Sequence, residues 1–362
     1  MNYMEQYIFK EHMKNINTDF EDFAKEIMAL QNKDTFTLLF ATDVHYIRKF
    51  ALYIPTYYKL KEMVDFSGYI GADLLALGGD TVDGNTTLSR QYRDLYDILA
   101  LVRNAKTTSV AISKGNHDDC SWYAWQKDLG IENTITPEQW YAHVINPIRV
   151  SYPITLDNEN IAGGYYYIDY PLQKIRVINL NTNDTPYIFD NNGKFVDKAI
   201  VGQWCHNFSS RQLEWLKEAL TFEEEGWSVL PLSHVGAPID HNVHNRHIVT
   251  ALLYAFKNKT KGRVTNDEKY FEADISFDFT NNKSSDLLPY LCGHNHIDST
   301  TYVDGITVVS TRNMLGQDKN ITWDNPQENT FGSWDCMIID KKSHKLITKR
   351  YTQPEFDREI DY

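Results

Sequence analysis

Seven side chains able to ligate a metal ion fall in five short segments of the chain. They are Asp43 and His45 in Asp43-Val44-His45, Asp80 in Gly79-Asp80, Asn116 in Gly115-Asn116-His117-Asp118, His234 in Ser233-His234, and His294 and His296 in Gly293-His294-Asn295-His296. Asp, Asn and His supply the mixed oxygen and nitrogen donors that suit borderline divalent cations: manganese, iron, zinc or nickel. No cysteine takes part. Singly, each segment also has an ordinary explanation. An Asp-x-His can end a strand, and a Gly-Gly-Asp can be a turn whose Asp bonds its own backbone. Gly-Asn-His-Asp says more, because Gly permits a tight turn, Asn offers a neutral carbonyl oxygen and the next residue is a free imidazole. In Gly-His-Asn-His the two imidazoles at i and i+2 share a face of an extended segment, and in a tight loop they can reach two adjacent ions.

Such distant residues need elements that bring them together. Each segment follows a compact apolar run of the kind that forms a buried strand: 36–41 before Asp43, 74–77 before Asp80, 110–112 before Asn116, 229–232 before His234 and 290–292 before His294. Between them the spacing predicts helices over 55–67, 89–104, 137–144 and 209–222. Strands alternating with helices imply βαβ units, whose ligands gather beyond the carboxyl ends of the strands. Residues 165–181 and 302–350 alternate as antiparallel strands do, so two sheets flanked by helices are expected. Residues 1–34 read as an N-terminal helical extension, 35–352 as the domain that carries the site and 353–362 as an acidic tail. Polar residues 257–283 read as a long surface excursion.

Composition narrows the function. With 362 residues, 42% of them apolar, the chain can bury a large core. A net charge of −13 speaks against a nucleic-acid or anionic-membrane surface, since either needs a basic patch. It does not exclude an anionic substrate, because bound cations invert the local potential. Cys120, Cys205, Cys292 and Cys336 lie far apart without a CxxC, which implies free thiols. Residues 1–32 hold no apolar run of signal-peptide length, so a soluble, cytoplasmic protein is expected.

In order and in content the five segments match Asp-x-His, Gly-Asp-x-x-Asp, Gly-Asn-His-Asp, His and Gly-His-x-His. Over residues 35–312 the chain thereby resembles the calcineurin-like metallophosphoesterase superfamily. The resemblance implies a four-layer α/β/β/α sandwich of two mixed sheets flanked by helices. It also implies that Asp43, His45 and His296 hold one divalent metal, that Asn116, His234 and His294 hold the other, and that Asp80 bridges them.

The chemistry expected of such a centre is hydrolysis of phosphate mono- or diesters. Two cations about 3.5–4 Å apart hold a bridging hydroxide, aim it in line at phosphorus and neutralise the phosphoryl oxygens. The leaving alkoxide needs a proton, and His117, an imidazole beside the ligand Asn116, is the natural general acid. In the family's pattern Asp83 pairs with this His. The Ser/Thr protein phosphatases carry an Arg after that Asp, whereas Gly84 stands here, which speaks against protein substrates. A small phosphorylated substrate is the expected partner. The competing reading is an inactive metal-binding scaffold of the same fold, which the presence of all seven ligands and His117 disfavours. His241, His244 and His247, the aromatic cluster Trp122, Tyr123 and Trp125, the pair Asn183-Asp184, and Arg246 and Arg312 are further candidates for lining a substrate pocket.

Overall fold

The computed structural model describes residues 20–48, 54–107, 109–197, 200–315 and 334–362. In chain order its strands are β1 (Thr35–Ala41), β2 (Leu74–Leu77), β3 (Ser109–Ile112), β4 (Thr155–Leu156), β5 (Tyr166–Tyr170), β6 (Ile175–Asn179), β7 (His206–Asn207), β8 (Ser228–Leu232), β9 (Val243–His244), β10 (Lys261–Asn266), β11 (Ala273–Asp278), β12 (Asp286–Leu287), β13 (Tyr290–Cys292), β14 (Ser299–Val303), β15 (Ile306–Ser310), β16 (Asp335–Asp340), β17 (Lys345–Arg350) and β18 (Arg358–Asp361).

Two large mixed sheets face each other. The first runs β18-β17-β16-β1-β2-β3, with β1, β2 and β3 parallel and β16 antiparallel to β1. The second runs β14-β15-β13-β8-β6-β5-β4, with β15, β13, β8 and β6 parallel and antiparallel strands at both edges. The parallel centres explain the uninterrupted apolar runs, since those strands are covered on both sides. In the second sheet the alternation separates two cores. Val177, Leu230, Leu232 and Leu291 face the first sheet, whereas Ile178, Val229, Tyr290 and Cys292 face the outer helices.

The helices form the outer layers. α1 (residues 20–30) packs Phe20 and Phe23 against Phe66, and Phe23 also meets Trp334 and Tyr351, so the described part of the N-terminal extension belongs to the core. Residues 1–19 lie outside the described residues. α2 (Ile54–Tyr69) and α3 (Leu88–Val102) cover the first sheet, α3 burying Leu95, Ile98, Leu99 and Val102 at i, i+3, i+4 spacing. The helix expected over 137–144 continues to Ser151 as α5 (Pro137–Trp140), a π-helical turn at Tyr141–Ile145 and α6 (Asn146–Ser151), with the short α4 (Ser121–Gln126) before it. Pro147 is the reason for the widened turn, because it has no N–H to give the α ladder. α7 (Ser210–Ala219), capped by Ser209, and α8 (Arg246–Asn258) cover the second sheet.

One expectation is corrected and another gains its form. Residues 353–362 are not a free tail: β18 pairs with β17 and buries Ile360. Its charged residues made it look solvated, but an edge strand can carry charges on its open side. The polar excursion at 257–283 is an ordered ribbon of β10 and β11 that buries Ala273 and Ile275 in the core shared by α7 and α8. Among the described residues no helix is long and apolar enough to cross a membrane. All four cysteines are free and buried.

One buried ion cluster ties the C-terminal strands to the site. Arg350, on β17, donates to Asp335 Oδ1 at 2.7 Å and to Asp298 Oδ1 at 2.7 Å, and Asp298 follows His296 by two residues. Removing a cation from between buried carboxylates is costly. Arg350→Met is therefore expected to destabilise the fold by about 3 kcal/mol in urea unfolding. A loss under about 1 kcal/mol would mean that Arg358, 3.6 Å from Asp335, takes over the charge.

Candidate metal centre

The carboxyl ends of β1, β2, β3, β8 and β13 point to one edge of the sandwich, and the five ligand loops leave from them. The backbone there is held in an unfavourable region. Asp43, His45, Asp80, His294 and His296 all have positive φ, between 45° and 71°. Each costs on the order of 1–2 kcal/mol for a residue with a Cβ, so surrounding contacts must hold the loops in place. Two glycines permit the close approach. A Cβ on Gly115 would lie 2.1 Å from Asp80 N, and one on Gly293 would lie 2.0 Å from Thr42 Oγ1. Asp118 braces the same turn, its carboxylate accepting from the N–H groups of Gly115 at 2.8 Å and Val82 at 3.2 Å. It is a structural carboxylate, pushed up to about 7 by burial and by Asp80.

The seven expected ligands converge in two groups. In the first, His296 Nε2 lies 3.2 Å from Asp43 Oδ1 and 3.3 Å from His45 Nε2. In the second, Asn116 Oδ1 lies 3.0 Å from His234 Nε2 and 3.0 Å from His294 Nδ1. Asp80 stands between them, Oδ2 being 3.8 Å from His45 Nε2 and 3.2 Å from His234 Nε2. Asp43 Oδ2 is occupied by Thr42 Oγ1–H and by the N–H of His294, whereas Asp43 Oδ1 is fully buried without a hydrogen-bond partner. A carboxylate oxygen left so in a protein interior is expensive unless a cation takes it. The donor set therefore fits divalent metal ions.

Electrostatics agree. Burial alone would raise both carboxyls, but the fields of His234 and its neighbours outweigh it and hold Asp43 and Asp80 below the usual range. Burial, then His117, lowers His45 to about 3. Burial opposes the charge on His234 too, yet Asp80 and Asp43 together raise it to about 10. Without metal, His234 thus carries a proton where a cation would sit. Because this pKa is raised, the proton stays bound up to about pH 10 and competes with metal throughout the neutral range. Metal affinity is expected to rise about tenfold per pH unit, read by chelator competition at pH 6.5 and 8.5; a pH-independent affinity would contradict the assignment.

The imidazoles are aimed by their second nitrogens. His234 Nδ1–H donates to Gly78 O at 2.9 Å, and His296 Nδ1 meets the side-chain amide of Asn313 at 3.0 Å, whose oxygen is the end that suits a ring ligating through Nε2. Asn313 is absent from the residues singled out in the sequence, although it follows β15 as the ligands follow their own strands. His117 stays outside both groups. Its N–H donates to Asp80 Oδ1 at 2.8 Å, and its ring Nε2 is 4.0 Å from Asp80 Oδ2. The expected partnership with Asp83 takes a different form. His117 Nδ1–H donates to the backbone carbonyl of Asp83 at 2.5 Å, while the Asp83 carboxylate accepts from Asn85 N–H at 3.3 Å. The turn at 83–85, with Gly84 in the αL region, gives the hydrogen bond to the carbonyl, while an Asp83 carboxylate oxygen stays within 4.8 Å of ring nitrogens of His117 and His45 and lines the cleft. Burial would lower His117, but Asp80, this hydrogen bond and the Asp83 charge raise it above the ordinary value.

The centre opens into a cleft of about 1070 Å³. Besides His45, Asp80, Asn116, His117, His294 and His296, its lining includes Gln203, Trp204 and His206 from the long insert before β8. The sequence carried no signal for these. Gln203 Nε2 is 3.4 Å from His117 Nε2, and the His206 ring packs edge-on to His294. His206 is lowered to about 3 by burial and by His294. The aromatic wall also differs from expectation: Trp122 and Trp125 pack against Ala124, Phe195 and Val201, and it is the exposed Trp204 that lines the cleft, with Trp122 edge-on behind it. Asn183 and Asp184 are braces, Asn183 donating to Gly202 O and Asp184 accepting from Gln212 and Ser209. Arg312 lies over Phe356 and is not part of the lining, whereas His241, His244, Arg246 and His247 all are.

Comparison with known proteins gives the same assignment. The family model for calcineurin-like phosphoesterases matches residues 36–298. No curated protein matches the chain. Among solved structures, a dimetal phosphatase from Danio rerio is 16% identical with a TM-score of 0.59, covering 90% of this chain and 99% of its own. GAP50, the anchor in the inner membrane complex of Plasmodium, is 10% identical (TM-score 0.47; 90% and 89% covered), and purple acid phosphatase PPD1 of yellow lupin is 11% identical (TM-score 0.41; 90% and 53% covered). The first of these is a likeness of fold alone. The family match spans all five ligand loops, and with the convergence of their side chains it settles the assignment: the chain belongs to the calcineurin-like phosphoesterase family.

Proposed function

We propose that the protein hydrolyses small phosphate mono- or diesters with two divalent cations, one held by Asp43, His45 and His296, the other by Asn116, His234 and His294, with Asp80 shared. The observation that carries this reading is Asp43 Oδ1, buried, unbonded and facing the imidazoles of His296, His45 and His234 at 3.2, 3.9 and 4.0 Å. When bound, such a cation pair neutralises phosphoryl oxygens and makes water nucleophilic at neutral pH. The chain's own residues do the rest. Asp80 holds the two ligand groups in register and fixes the His117 backbone. The Asp83 carbonyl keeps the His117 ring in one orientation, so that Nε2 is the nitrogen available to give a proton to the departing alkoxide. The cleft receives the remainder of the substrate.

The test is metal analysis of the purified protein, with hydrolysis of aryl phosphate monoesters and diesters after loading with manganese. About two ions per chain and turnover of at least one ester class are expected. Metal binding without turnover of any ester would instead identify an inactive scaffold.

A further inference from the structure

Arg246 is a cation in the metal cleft that forms no ion pair among the described residues. In a chain of net charge −13 several guanidinium groups find carboxylates, as Arg176 finds Asp169, Arg211 finds Asp157 and Arg263 finds Asp274. Arg246 instead donates from Nη2 to His241 Nδ1 at 2.6 Å. A guanidinium can only donate, so His241 Nδ1 is the acceptor and Nε2–H is left as a second donor. The two neighbouring imidazoles are committed to the protein. His244 Nδ1–H donates to Glu268 at 2.9 Å with its ring stacked on Phe271, and His247 Nε2–H donates to Thr265 O at 3.3 Å.

The backbone that carries Arg246 is rigid. Asn245, just before it, is left-handed at φ 62°, and its amide donates to Phe208 O at 2.9 Å and Phe271 O at 3.0 Å while accepting from Asn266 at 2.7 Å. A guanidinium set on a fixed backbone and without a carboxylate is prepared to take an anion in the planar, two-pronged manner of Arg. The cleft has room for one. Its volume of about 1070 Å³ is at the upper end of pockets that enclose whole small molecules, far more than a single phosphoryl group needs.

We propose that Arg246 and His241 form an anion subsite of the metal cleft, and that the substrate is a phosphoester bearing a second anionic group, phosphoryl or carboxylate, away from the ester that reacts. This rests on the hydrolase reading for the word substrate, but the subsite itself is measurable by binding alone.

Calorimetry on the manganese-loaded protein tests it with ethane- to hexane-bridged bisphosphonates, ω-carboxyalkyl phosphonates and ω-hydroxyalkyl phosphonates of matched length. At one bridge length a doubly anionic probe is expected to bind at least about tenfold more tightly than its hydroxyl counterpart, the scale of one charge-assisted contact. The bisphosphonate and carboxylate arms separate the two kinds of second anion. In Arg246→Ala the ratio should fall to within about twofold, Arg246→Lys should restore part of it, and Arg263→Ala on the β10–β11 ribbon should leave it intact. Manganese content should be the same in all three. A wild-type protein with no preference at any length, or a preference that survives Arg246→Ala, overturns the proposal. Preference without turnover of any ester would retain the subsite and reject the hydrolase reading; turnover without preference would do the reverse.

Discussion

Asp80→Asn is expected to empty both halves of the metal centre at once and to abolish turnover. The substitution keeps the shape of the side chain and removes only its charge. Backbone strain does not confuse the result, because Asp80 has φ 48° and Asn is among the residues that tolerate that region best. What is lost is the carboxylate charge between the two groups, 3.8 Å from His45 and 3.2 Å from His234. The same charge, ahead of Asp43, raises His234 to about 10, so the variant should also release the proton of the metal-free protein at lower pH. Metal analysis after gel filtration should fall from about two ions per chain to well under one, with the thermal transition of the metal-free protein still cooperative. Retention of one full equivalent would show that Asp80 serves a single site and is no bridge.

The five ligand loops were legible because their strands are short, apolar and buried on both faces, so each ends abruptly where a polar residue must find a partner. Asp43 after Phe40-Ala41 and His234 after Leu232-Ser233 are such endings. The order of the loops along the chain was legible too, and with it the layered fold. Atomic roles that depend on backbone conformation were not. The family's pattern makes Asp83 the partner of His117, but it does not say which atom bonds: the hydrogen bond goes to the carbonyl, while the carboxylate stays near the ring. His206, Gln203 and Trp204 had no signal because β7 is two residues long and its place is set by contacts distant in sequence, such as Asn183 with Gly202. Trp122 is near Gly-Asn-His-Asp in sequence, but its packing with Ala124, Phe195 and Val201 leaves it behind Trp204. The C-terminal strand β18 was hidden by composition: Arg358, Glu359 and Asp361 flank a single buried Ile360.

His117→Ala should keep its metals and lose turnover by about 10²–10⁴-fold, the usual contribution of a positioned general acid. The loss should depend on the leaving group. A nitrophenolate departs without help, so the variant should be least impaired with nitrophenyl esters and most impaired with alkyl esters, whose alkoxides must be protonated as they leave. The geometry also predicts which neighbour matters. In the metal-free protein Asp80 is the main group raising the His117 pKa, but bound cations offset that charge. The Asp83 carbonyl, which accepts the Nδ1 proton at 2.5 Å, then makes the direct hydrogen bond that holds the imidazolium. Asp83→Asn keeps that carbonyl and should cost less than about tenfold, whereas a true carboxylate–imidazole pair would cost 10–100-fold. The pH profile separates these outcomes. Wild-type turnover should fall at high pH as the raised His117 loses its proton, Asp83→Asn should move that limb slightly down in pH, and His117→Ala should remove it. A high-pH limb that persists unchanged in His117→Ala would assign the proton to another group.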